Sequence, residues 1–372
     1  DVHLEPRSSN RWSTKVSFSG SIHTPTEIFK PCTPHHSSPA IFHSPPTLIL
    51  HRSSSPKVST FTMPQFSWVS RWLLTIFPLI TLAAAFGRQD VLPTKVLVTG
   101  AAGKTGRLVL KKLEEDPRYE PKGLVRTEAS ARKLLEDREI RCPLEHMVIS
   151  DVTSPTFEED LPSGLEGMDA MIICTSAVPR ISRLSLAGAI LKMPWNIIRR
   201  KPAFDFRKLQ FKWKHGGYPE VVDYHGQVAQ IELAKRLGMR KVVIVSSMGG
   251  TNSNNFLNHV GKNKDGSGNG DILLWKRKAE MHLVESGLNY AIIHPGGLVD
   301  TPGGQEEFVL DVDDKISSYH NRTRISREDV ADLCVAALGI NQNCSFDCIT
   351  IPRVNVNGSG PKTADQALAE FL

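Results

Sequence analysis

Lys95-Val-Leu-Val-Thr-Gly-Ala-Ala-Gly-Lys-Thr-Gly106 decides the fold of this chain. Its first half is a short apolar run that stops at a glycine, the pattern of a strand covered on both faces in a parallel sheet. Its second half spaces glycines at 100, 103 and 106 and leads into an amphipathic stretch from about Lys104 to Glu115. Glycines there permit a tight turn and let the backbone approach a pyrophosphate. The helix start adds free N–H groups and a positive dipole end. A glycine motif alone is weak evidence, but a strand before it and a helix after it supply the context it needs. Gly100, Ala102, Gly103, Lys104, Thr105 and Gly106 are therefore expected to hold a dinucleotide.

Working outward, the next apolar run, Lys122-Gly-Leu-Val-Arg126, ends in a cation. An acid near this point would take the ribose 2′-hydroxyl of NAD. Arg126 suits a 2′-phosphate instead, so NADP(H) is preferred, with Lys104 as a helper. Glu128 keeps NAD(H) open, and a solvated strand end is the ordinary alternative for Arg126. Further strands are expected near 146–150, 169–175, 241–247 and 289–294, alternating with helical patterns. A last strand, Phe346 to Ile351, would close the sheet. This is an α/β, doubly wound parallel sheet of the Rossmann type, a single domain over 95–352. Ligands lie at the carboxyl ends of such strands, where Gly100, Arg126, Asp151, Thr175, Ser247 and Pro295 all fall.

The motifs GLVR at 123–126, TSAVP at 175–179, YPEVVDYHGQ at 218–227, VSSMGGTN at 245–252, WKRKAE at 275–280, IIHPGGLVD at 292–300 and SREDVADLCVAAL at 326–338 stand in one order. Together they resemble the NmrA-like, atypical short-chain dehydrogenase/reductase group, in particular the small NAD(P)-binding proteins of plants and algae. The resemblance implies that Asp151 and Val152 meet the adenine. It places Thr175, Ser176 and Ala177 at the cofactor ribose, and Ser247 at the active-site serine position with Ser246 beside it. Lys276 would hold the nicotinamide ribose, and Pro295, Gly296 and Gly297 would pass close to the nicotinamide. Two residues depart from the pattern: His294 stands where relatives often have arginine, and Ile272 occupies the catalytic tyrosine position.

Lys276 also admits an ordinary reading. Asp271 can cap a helix starting at Ile272, Gly287 can end it, and Lys276 would then form a surface pair with Glu280 one turn on. Without the tyrosine, a proton would have to come from water, Tyr224, His225 or His294, or the acceptor would be a quinone or flavin-like molecule. Losing a general acid typically costs about 10²–10⁴ in rate. Two functions stay open: an NADPH-dependent reductase of a bulky apolar substrate, and a catalytically silent NADP(H)-binding scaffold or redox sensor at a plastid membrane.

Between Arg180 and Lys214 the chain carries ten Lys or Arg against one acid, Asp205, interleaved with Trp195, Phe204, Phe206, Phe211 and Trp213. This basic, aromatic-rich insertion (180–218) leaves from a strand end expected at the cofactor. It reads as a lid over the substrate side, as a docking surface for a membrane or acidic partner, or as a packed excursion without a special role. The whole chain is only mildly basic, at net +6. With no recognised nucleic-acid module, that partner is not expected. The asparagine- and glycine-rich loop from Met248 to Gly270 is expected to flank the same pocket or to act as a linker. Six dispersed cysteines form no CxxC pair, so no metal site is expected and buried thiols are the reading.

Residues 1–62 are rich in Ser, Pro, His and Thr and hold no sustained hydrophobic period, so they are expected to be disordered or a non-native extension preceding a start at Met63. Residues 63–85 read as a signal-peptide-like segment. The apolar run Trp72–Ala85 is short against the roughly 20 residues of a membrane span. The Ala-Ala-Ala-Phe86 junction resembles bipartite plastid presequences of algae with red-lineage plastids, pointing to the plastid stroma. Secretion and the thylakoid lumen are the alternatives. Residues 86–94 would be a linker and 353–372 a tail.

Overall fold

The structure is a computed structural model that describes residues 92–137, 140–157, 164–200, 202, 209–263, 265–353 and 360–372. The expectations for 1–62, 63–85 and nearly all of 86–94 lie outside the described residues.

The glycine-ended run folds as expected. Thr94–Thr99 (β1) leads through the turn into Lys104–Glu115 (α1). There follow Tyr119–Val125 (β2), Glu128–Leu135 (α2), Met147–Ile149 (β3) and Ala170–Ile173 (β4). The next segment pairs Arg180–Ile181 (β5) with Phe211–Lys212 (β6), antiparallel, around the helix Arg183–Ile198 (α3). A π-helical turn, Glu220–His225, runs directly into Gly226–Arg236 (α4), and Lys241–Val245 (β7) follows. The rest comprises Phe256–His259 (α5), Ile272–Glu285 (α6), Asn289–Pro295 (β8), Gly297–Val299 (β9), Glu307–Asp311 (β10), Ile316–Tyr319 (α7), Arg324–Ser326 (β11), Arg327–Leu338 (α8), Cys344–Ile351 (β12) and Ala364–Phe371 (α9).

The main sheet has eight strands in the order β10-β12-β8-β7-β4-β1-β2-β3. All neighbours are parallel except β10 against β12. The strand order reverses between β1 and β4, which opens a crevice at their carboxyl ends. Successive residues of β1 face opposite layers. Val96 and Val98 pack with Leu110 and Leu113 of α1 and Leu333 of α8, while Leu97 packs with Met171, Ile173 and Ile231. Burial on both faces explains why these strands read as continuous apolar runs rather than alternating ones.

Two expectations change. The strand expected at 346–351 does not close the sheet, because β10 adds outside it. The chain beyond 352 ends in α9, whose Ala364 and Leu368 join the core and whose Phe371 lies 5.7 Å from Phe346. Thr363 starts that helix with a complete capping box.

Candidate active site

The glycine turn is built for close backbone approach. A Cβ on Gly106 would sit 2.3 Å from the Gly100 carbonyl oxygen, and Gly100 itself has φ +66°. Gly103 caps α1 without any side-chain hydrogen bond to the first-turn amides. Those N–H groups stay available to an anion at the positive end of a 12-residue helix, so the cradle fits a dinucleotide pyrophosphate. Lys104 reaches Asp300 at 2.5 Å, and Arg327 pairs with the same carboxylate. Two cations and one acid thus line the rim of the turn.

Arg126 and Asp151, from the ends of β2 and β3, lie 3.6 Å apart and are both half-exposed. Val152 is buried. Arg126 and Asp151 thus come together at the carboxyl ends of adjacent strands. At the end of β4 the three expected ribose residues separate. Ser176 faces a cavity of about 200 Å³. Thr175 turns away: its hydroxyl accepts from Gln230 Nε2 at 3.1 Å, and its carbonyl accepts from Gln227 Nε2 at 2.9 Å. Ala177 gives its backbone N–H to Asp223 Oδ2 at 3.1 Å.

The cavity is walled by Thr105 of the turn, Cys174 and Ser176, Ser246 and Ser247 after β7, and Ile272, Leu273 and Lys276 of α6, with Val245, Leu257 and Leu298. Desolvation pushes the Cys174 thiol up to about 12, against the pull of Lys276, which removes it as a nucleophile near neutral pH. The Ser247 hydroxyl bonds the Met248 carbonyl at 3.1 Å. Leu257 brings the glycine-rich loop to the pocket, as expected. Pro295 is buried, and the Gly296 and Gly297 amides are pinned to the Cys348 and Thr323 carbonyls at 2.9 and 2.8 Å.

Lys276 is not a surface residue paired with Glu280. Its ammonium sits 2.8 Å from Asp223 Oδ1, with side-chain exposures of 6% and 0%. Nor does Asp271 cap α6 with its side chain. It adopts φ +60° and pairs with Lys262 at 2.7 Å, while Asn258 Oδ1 accepts the Leu273 amide at 3.0 Å. Ile272 lies in the cavity wall, one turn before Lys276. Tyr224 stacks on Trp275 at 5.8 Å and does not line the cavity, and His225 is exposed.

Behind the two serines runs a buried polar chain. The Ser246 hydroxyl donates to Glu280 Oε1. Arg277 Nη1 donates to both Glu280 oxygens at 2.7 Å, and Nη2 to the Ser247 carbonyl at 3.1 Å. His294 Nε2 lies 3.0 Å from Glu280 Oε2 and 2.6 Å from Arg277 Nη1, with Nδ1 3.4 Å from Asp347 Oδ1. Asp347 Oδ2 accepts the Asp314 amide at 2.6 Å, and Asp314 accepts the amides of Gly249 and Thr251. Burial alone would raise the Glu280 carboxyl, but His294 and Arg277 hold it at about 2. Burial opposes the His294 imidazolium, yet Glu280 and Asp347 outweigh it and raise its pKa. His294 thus braces the strand ends from behind rather than meeting a ligand.

Sequence reasoning missed Asp223, Arg277, Glu280 and Asp347. The local signs were an acid after Val221-Val222, at Asp223, and a lone acid, Asp347, inside the apolar run Phe346–Ile351.

A parallel sheet with a glycine turn at its switch point, and a cavity opening beside that turn, are the features of a Rossmann-fold NAD(P)(H)-binding protein. The chain belongs to the NAD(P)H-binding family, whose profile matches residues 100–340. It is 38% identical over 290 residues to an uncharacterized chloroplastic protein of Arabidopsis thaliana, covering 77% of this chain and 76% of that one. It is 39% identical over 280 residues to sanguinarine reductase of Eschscholzia californica, covering 74% and 93%. Among solved structures, a Bacillus halodurans protein described as an NAD-dependent epimerase/dehydratase superposes with a TM-score of 0.51 at 20% identity, covering 75% and 100%. That likeness is one of fold.

Proposed function

We propose that the chain is an NADPH-dependent reductase of an apolar acceptor that works without a tyrosine acid, in the NmrA-like branch of the short-chain dehydrogenases and in the plastid. The observation that carries this reading is the cavity wall. Ser247 and Lys276 open with Thr105 of the nucleotide turn, and with Ser176, Ser246 and Cys174, onto one space whose remaining wall is apolar: Val245, Leu257, Ile272, Leu273 and Leu298. A protein that only holds a nucleotide has no need of polar groups converging on such a space.

The bound nucleotide supplies the hydride. Lys276 is the one charged side chain among the lining residues. Its ammonium, steadied by Asp223, offers donors to ribose hydroxyls and to negative charge developing on an acceptor oxygen. Such preorganised donors act strongly where water is scarce. Ser247 offers a hydroxyl at the same wall, while Ser246 is committed to Glu280. Arg126 takes the 2′-phosphate, and Asp151 and Val152 take the adenine. The identity with sanguinarine reductase supports the reductive chemistry. The chloroplastic Arabidopsis relative and the apolar segment 72–85 support the location.

A silent NADP(H) sensor is the second reading. Ile272 in the tyrosine position and the existing partner of Lys276 favour it. NADPH oxidation against a panel of quinones and apolar carbonyls separates the two. Turnover that falls at least tenfold in Ser247→Ala establishes the reductase. Tight NADPH binding with no turnover across the panel leaves the sensor.

A further inference from the structure

The 16-residue α3 has no buried residue. With 3.6 residues per turn, Leu184, Ala187, Leu191, Pro194, Trp195 and Ile198 fall on one side, and Ile190 and Ile197 beside them, an arc of about 160° that is apolar except for Arg183 at the helix start. All eight are exposed; Leu184 reaches 87%, Leu191 81% and Ile198 72%. Of the half-buried residues, Ser185, Ala189, Met193 and Asn196 lie on the opposite side, with Leu186 and Gly188 at its two margins. The helix therefore turns its greasier face outward, the reverse of a surface helix of a soluble domain.

Five cations and no acid accompany this face: Arg180, Arg183, Lys192, Arg199 and Arg200. Arg199 lies over the Trp195 ring at 4.8 Å. None of these residues lines the cavity, so α3 does not form its lid. A second copy of α3 would set five cations against five. Residues 1–91 are also net basic and offer no complement. What matches is an anionic surface into which a broad aliphatic arc can sink while long cationic side chains stay at the boundary. At 16 residues α3 is short for a span of roughly 20, so it lies in the interface and does not cross it.

We infer that α3 docks this protein on the surface of an anionic lipid bilayer, apolar arc inward, with Lys192 and Arg199 at the headgroups along its edge and Arg183, in the first turn of the arc, extending its long side chain back to them. The antiparallel β5–β6 stem holds the helix, with Ser182 donating its amide to the Gln210 carbonyl and Gln210 its amide to Ser185 Oγ, both at 2.9 Å. On the other side Phe211 meets Phe256 edge-on at 6.4 Å, next to the cavity residue Leu257. Docking would thus set the pocket rim close to the membrane.

The test is co-sedimentation of the full chain with vesicles of phosphatidylcholine alone and with vesicles of phosphatidylcholine and phosphatidylglycerol in equal parts. Binding is expected to the mixed vesicles and to fall by about tenfold or more in Arg183→Gln/Lys192→Gln, since each surface cation contributes about fivefold. It should fall similarly in Leu191→Ser/Trp195→Ser. NADPH binding by each variant serves as the check on folding. Equal binding by the variants would assign any membrane affinity to residues 63–85 and overturn the inference. So would indifference to phosphatidylglycerol, or self-association through α3 in place of vesicle binding.

Discussion

Lys276 and Asp223 form a buried ion pair, Nζ to Oδ1 at 2.8 Å, that ties α6 to the π-helical turn before α4. The carboxylate's other oxygen accepts the Ala177 amide at the end of β4. One acid thus fixes both the lysine and the strand exit beside it. One turn before the lysine stands Ile272, and the lysine's carboxylate partner comes from another element. π-Turns of this kind gather at functional sites because they re-aim side chains.

This pairing makes a stability prediction. Removing one partner leaves an uncompensated charge in the interior, at a cost of about 3–5 kcal/mol. Lys276→Met and Asp223→Asn should each lower the urea midpoint markedly. The double variant should recover much of the loss, a coupling that two independent sites would not show. Nucleotide affinity should fall in Lys276→Met and should not recover in the double variant, which separates the lysine's role at the ligand from its role in the fold.

Glu280 predicts a pH signature. Its carboxyl is held at about 2 against an ordinary 4.5, so the folded state favours the ionised form. Its stabilisation is present above pH 4.5 and lost as pH falls from there toward about 2. Glu280→Gln should therefore be less stable than the parent by about 3 kcal/mol near neutrality, with the gap closing through that acid window. Chemical denaturation at a series of pH values reads this directly.

His294 works in the opposite sense. Its pKa is raised in the fold, so its contribution is complete below the unfolded value of 6.5 and is lost as pH rises through the elevated one. The groups facing it are Glu280 and Arg277 from α6 and Asp347 from β12. His294→Gln should flatten the stability profile on the alkaline side and leave the Glu280 acid limb in place. Two-dimensional NMR of the imidazole in the parent protein gives the titration itself.

The sheet was legible because the buried strands announced themselves as apolar runs closed by a glycine or a charged residue, such as Gly100, Arg126 or Asp151. β10 escaped because Glu307 to Asp311 is an edge strand, half-buried throughout, with no run to read. The buried polar chain escaped for a different reason. Lys276 and Glu280 stand four apart, which on a line of text is an ordinary surface pair. Only packing sends one to Asp223 and the other to His294. Likewise, the period of α3 gives an apolar face but not whether that face points in or out.

Arg126 carries the cofactor prediction. It closes β2 and faces Asp151 at 3.6 Å, half-exposed, where an arriving 2′-phosphate would compete for the guanidinium. A charge-assisted bond of this kind contributes about 1.5–3 kcal/mol, or roughly 10- to 150-fold in affinity. Arg126→Ala should lose about that much for NADPH and little for NADH, measured by calorimetric titration. Asp151→Asn removes the competing carboxylate and should leave NADPH affinity equal or higher. An equal loss of both nucleotides in Arg126→Ala would remove the 2′-phosphate role and leave Arg126 as the residue that orients Asp151 toward the adenine.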